Sequence, residues 1–131
     1  MSGGIKVTSA NAGTAGIQIE APEGQDAYIQ WACDDGDDHP DFWRFNNKAS
    51  DNTFSLENYG DSAWEQNIVA NHGGSVDLYY DDNMRCKTSS TGINVNGGTA
   101  NGYVKIETSD GTVRGSLHGN DSGYIGILDL N

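Results

Sequence analysis

The sequence predicts an all-β protein built from short strands in meanders, with β-sandwich-like packing. Three observations predict it. Apolar and polar residues alternate in brief runs, the period of a half-buried strand. The runs are separated by clusters of Gly, Asn, Asp, Ser and Thr, with 18 Gly against 2 Pro, the composition that closely spaced turns require. No stretch of ten residues shows helical apolar spacing with good helix formers; Ser62 to Asn71 comes nearest, and there Ile68-Val69 reads as strand.

The elements follow in order. Ile5–Thr8 and Ile17–Glu20 are short alternating strands, the second stopped by Ala21-Pro22-Glu23-Gly24, a turn with Pro at its second position. Ala27–Trp31 is the third, running into the acidic loop Cys33–Pro40. Phe42–Phe45 and Thr53–Glu57 are strands joined through Asn46–Asn52, and Asn58–Ser62 is the next turn. Alternation sets Phe42 with Arg44 on one face and Trp43 with Phe45 on the other; it sets Trp64, Gln66 and Ile68 together, opposite Glu65 and Val69. Gly73–Gly98 is the clearest stretch. Ser75–Tyr80 alternates, Asp81-Asp82-Asn83 breaks the run, Met84–Thr88 resumes it, and Ser89–Gly92 turns into Ile93–Val95. So short a meander, apolar at one residue in two, must complete itself on a sheet from elsewhere in the chain or from another copy. Gly102–Thr108 pairs across Asp110-Gly111, a dipeptide suited to a primed turn, with Thr112–His118, and Tyr124–Leu128 is the last strand.

At 131 residues the chain is one domain by size, 1–131, with 1–72 and 73–131 as candidate sub-modules. Hydrophobic residues are only 35% and the mean hydropathy is −0.61, a deficit that favours an oligomer sharing one interior among chains. The net charge of −12, with seven Lys and Arg spread singly, argues against a phosphate-binding groove and so against nucleic acid. Met1–Gly4 opens with neither a basic nor an apolar run, and no membrane span or insertion is expected. Cys33 and Cys86 share no close spacing and read as two free thiols, a disulfide between them being the alternative.

Candidate chemistry is sparse. There is no Gly-x-Ser-x-Gly elbow, phosphate-cradling glycine loop or His-Glu-x-x-His motif, and no enzymatic activity is expected. His39, His72 and His118 are each isolated in sequence. Asp34, Asp35, Asp37 and Asp38 cluster around Gly36, and hard cations take such carboxylate oxygens. The spacing is not that of an EF-hand, so the expectation is a solvated loop with no cofactor, weak calcium binding being the alternative. Trp31, Trp43, Tyr59 and Trp64 would stack on sugar rings if exposed; packing inside a core or between chains is the competing role.

Several phrases carry a resemblance. Gly73–Gly97 resembles a module of bacteriophage tail-fibre and other virion fibre proteins, especially marine ones, in which "GxVxLYYDN" precedes a Lys-containing strand, "TTSSG" and "VxVxG". The matching positions include Val76, Leu78, Tyr79, Tyr80, Asp81, Lys87, Ser89, Ser90, Gly92, Ile93 and Val95, with one residue added at Asp82-Asn83 and Cys86 where a bulky apolar residue is usual. Asp26–Trp31, Phe42–Phe45 and Asp51–Leu56 are similar to "DAYIQF…RF…DNTFxI", and Thr108–Gly115 through Gly123–Asp129 to "DGTxRG…NxIGFLD". The resemblance covers most of the chain from Gly16 and implies a non-enzymatic virion structural protein: tail fibre, spike tip or capsid decoration. It also implies an interwoven homotrimer, made in the host cytoplasm, that meets other virion proteins and a host-cell surface glycan or protein. A small carbohydrate-binding or calcium-dependent adhesin module on a β-sandwich is the alternative.

Overall fold

A computed structural model of the chain describes Val7 and residues 15–97, 102–107, 109–111, 113–119 and 125–129. Among them ten strands appear and no α-helix: β1 (Ala27–Ala32), β2 (Phe42–Lys48), β3 (Thr53–Gly60), β4 (Ala63–Asn71), β5 (Val76–Tyr80), β6 (Asn83–Ser89), β7 (Gly92–Val95), β8 (Gly102–Glu107), β9 (Val113–Gly119) and β10 (Ile125–Asp129). β1 to β7 make one seven-stranded sheet in sequence order, and β8 to β10 a three-stranded one. Every pairing is antiparallel, so both sheets are meanders. The all-β expectation holds. β5–β7 complete themselves edge to edge, through β4, in continuation of β1–β4. The long sheet therefore runs across 72/73, and the change of sheet comes after Val95.

Turn chemistry explains the short connections. Asp61 and Ser62 have φ of 42° and 72°, and Asp81 and Asp82 of 52° and 53°. Positive φ at both central residues is the primed hairpin turn, whose twist matches that of the strands it joins. At Pro22 the turn lies one residue later than its composition predicts. The Gln25 amide donates to the Pro22 carbonyl (3.0 Å), and Gly24, at φ 76°, supplies the left-handed third position.

Other expectations change. Ile17–Glu20 forms no strand; it has no ladder partner, and Ile17 and Ile19 instead border a shallow cleft with Ile29, Phe45 and Phe54. Asn46–Lys48 and Asn58–Gly60, predicted as loop and turn, continue β2 and β3, because Asn46↔Ser55, Lys48↔Thr53 and Tyr59↔Trp64 pair across strands. The strand expected at Ile5–Thr8 lies outside the described residues except for exposed Val7, as does Tyr124, the first residue of the last expected strand.

Register sorts the side chains. Ile29, Phe45, Leu56, Ile68, Leu78, Cys86 and Val95 stand opposite one another in one row that crosses all seven strands. A parallel row on the same face holds Ala27, Asn47, Phe54, Ala70 and Val76 and ends at Ile93 beside Thr88. The opposite face carries Tyr28, Asn46, Ser55, Val69, Asp77, Lys87 and Asn94. One face is thus apolar and the other polar. A bulge after Leu56 leaves Asn67 extra in β4, and so Trp64 stands on the polar face while Ile68 stands on the apolar one. Strict alternation had placed the two together.

Burial reverses the usual arrangement. Among the described residues Val69, at 4% exposure, is the only hydrophobic one buried, whereas Asn46, Ser55 and Glu57 are fully buried. Every other large apolar residue of the two rows except half-buried Leu56 is between 40% and 70% exposed.

Candidate functional site

The polar face is organised around Glu57. Register sets it beside Arg44, and Lys48, four residues along the same neighbouring strand, reaches back to bring a second cation to the same carboxylate. Arg44 Nε donates to Oε2 at 2.6 Å, Lys48 Nζ to Oε1 at 2.7 Å, and the Ser55 hydroxyl to Oε1 at 2.8 Å. Burial alone would raise the Glu57 pKa. The hydrogen bonds from Lys48, Ser55 and Arg44, with the Lys48 charge, outweigh it and hold the carboxyl below its ordinary 4.5. Nearby, burial and the charges of Asp77 and Asp82 push the Tyr79 phenol above its ordinary 10.0.

Arg44 carries this centre outward to aromatic rings. Its guanidinium lies 4.0 Å from the Trp64 ring centroid and 5.7 Å from that of Tyr28. Tyr59 meets Trp64 edge-on at 5.3 Å, and His39 and Phe42 meet Tyr59 at 5.0 and 6.5 Å. An aromatic patch with one stacked cation therefore sits at the end of the sheet where β2, β3 and β4 approach the acidic loop.

The four aromatic residues expected to form one stacking shelf are divided by the sheet. Tyr59 and Trp64 are cross-strand partners on the polar face; Trp31 and Trp43 are partners on the apolar one. There Trp31 meets Phe45 edge-on at 5.3 Å, and Phe45 stacks on Phe54 at 5.6 Å. Sequence reasoning missed Glu57 and Lys48 as a pair of centres. The four-residue turn 49–52 would have set Lys48 against Thr53 and hence Arg44 against Glu57, but ending the strand at Phe45 hid that register.

The acidic loop closes at its base. Cys33 donates its amide to the Asp41 carbonyl at 3.1 Å, and the buried Asp41 carboxylate accepts from the Asp38 amide at 3.4 Å. Asp34 and Asp35 adopt φ of 45° and 63° within a 3₁₀ turn that ends at Gly36. Asp37 and Asp38 border an open hollow with His39, Pro40 and Asp61. Among the described residues no group of three or more His, Cys, Asp or Glu is arranged to hold a metal ion. Both thiols are free, Cys33 exposed and Cys86 half-buried.

The arrangement suits contact and assembly: a polar face fastened by a buried carboxylate with an aromatic patch at its end, and an uncovered apolar face behind. Comparison with protein-family models, curated proteins and solved structures finds no match to the chain.

Proposed function

We propose that this chain is a non-enzymatic virion structural protein of a tailed bacteriophage, a tail-fibre, spike-tip or capsid-decoration component that assembles as a homotrimer and contributes to host-surface attachment. The observation that carries the reading is the seven-stranded sheet with a whole apolar face exposed, a form that a self-sufficient enzyme domain has no use for and an assembling fibre module does. The ordered fibre-like phrases from Asp26 to Asp129 support it, as does the acidic surface, which keeps neighbouring particles apart.

Attachment would then work by number. Three copies present three weak patches together, and avidity supplies the strength that one patch lacks. With the apolar face turned inward, Tyr59 and Trp64 are the aromatic pair left to meet a glycan, and Trp31 and Trp43 belong to the shared interior. Mass spectrometry and antibody labelling of purified particles test the assignment: the protein is expected at a fixed copy number on a fibre, tip or capsid surface. Its absence from purified particles would overturn the proposal.

A further inference from the structure

Among the described residues the apolar face stays exposed across the seven strands, approached only at its β1–β3 edge by Ile17 and Ile19. With strands about 4.8 Å apart, its rows run about 29 Å across the sheet, and the rows of Trp43, Phe45 and Phe54 spread it over about 20 Å along the strands. That footprint, roughly 600 Å², lies at the upper end of what a monomer leaves bare and approaches the ~800 Å² per partner of a stable interface. The three-stranded sheet does not cover it, for Tyr103, Val104 and Leu117 are themselves 41%, 50% and 48% exposed.

Charge selects the occupant. The chain carries −12, so most ways of bringing two copies together set carboxylates against carboxylates. The Phe45 and Phe54 rows contain no charged residue, and like copies meet there without repulsion. An anionic lipid surface would repel the same protein. The uncharged Phe45 and Phe54 rows also complement themselves, the one carboxylate of the Trp43 row, Glu65, lying outside them.

We infer that a second copy of this chain covers the apolar face of the seven-stranded sheet, packed sheet on sheet with the Phe45 row of each copy against the other. The inner spacing is that of stacked sheets, about 10 Å. In a trimer the three faces close a prism with the same rows inside. This deepens the oligomeric part of the proposed function and is independent of where the protein resides.

Cys86 reports on the interface directly, because it stands in the Phe45 row while Cys33 lies on the acidic loop. Light scattering on the full chain is combined with timed iodoacetamide labelling of each thiol, read by mass spectrometry across a dilution series. The expected result is a species of two or more chains in which Cys86 labels at least about tenfold more slowly than in the same protein diluted to monomer, with Cys33 unchanged. Leu78→Lys should give a monomer with retained β-sheet circular dichroism and fast Cys86 labelling; the dilution series stands by itself if that variant fails to fold.

A monomer at every concentration overturns the inference, whether Cys86 labels freely or is shielded by its own chain. An oligomer in which Cys86 labels as fast as in the monomer assigns assembly to another surface and overturns it too, as does Cys86 protection that needs phosphatidylcholine vesicles. Particle labelling is a separate readout: a virion-bound chain that fails these tests loses the interface alone, and an assembling chain absent from particles loses the virion assignment alone.

Discussion

Glu57 is the residue on which the polar face depends, since it is wholly buried and tied to two cations and a hydroxyl. Truncating it leaves two part-exposed cations and the buried Ser55 hydroxyl unpaired, and Glu57→Ala is expected to lose about 3 kcal/mol in urea unfolding, the low end for a broken buried pair because water reaches both cations. Because its folded pKa lies below the ordinary 4.5, its contribution is fully present above that pH and is lost as pH falls through the folded value. Glu57→Gln should accordingly flatten the acid limb of a stability-versus-pH profile measured from pH 7 downward. Asn46 behaves oppositely. Its side-chain amide is fully buried with no hydrogen-bond partner at either atom, so Asn46→Val removes a desolvation cost and is expected to leave stability unchanged or raise it by about 1 kcal/mol.

At the scale of the element, hairpin turns and bulges decide which face each residue reaches. Ser62 holds φ 72° without the freedom of glycine, and the left-handed region costs an ordinary residue about 1–2 kcal/mol. Ser62→Gly turns Asp61-Ser62 into an Asp-Gly primed turn and should raise Tm by several degrees in a thermal melt. Asn67 is the extra residue that moves Trp64 to Arg44 and leaves Ile68 in the apolar row. Deleting it removes the bulge and leaves Trp64 three residues before Ile68, an odd separation that keeps the two on opposite faces, so the Trp64–Arg44 contact should survive. The measurable outcome is tryptophan emission close to that of the parent protein, with a loss of about 1 kcal/mol in urea unfolding from the missing Asn67–Asn58 hydrogen bond.

For the whole molecule, the central quantity is the ratio of exposed apolar surface to buried core. One buried valine among the described hydrophobic residues cannot hold seven strands against the chain entropy of ordering them, so stability should come with assembly. Tm is expected to rise with protein concentration. It should also rise with moderate NaCl, because salt screens repulsion between copies that each carry −12. A Tm independent of both over a hundredfold range, roughly 3 kcal/mol of mass action, would show that the chain closes its interior alone.

The sequence by itself determined the all-β class, most of the strands and the meander order, because period-2 alternation and turn residues are local properties readable along one stretch of chain. It also determined that apolar surface is scarce. Only the tertiary structure decided which side chains meet: that Arg44 and Lys48 converge on Glu57, that the four aromatic residues divide into two pairs on opposite faces, and that Asn67 reverses the alternation of β4. These depend on register, a relation between strands that no single stretch contains. A shift of one residue moves every side chain to the other face.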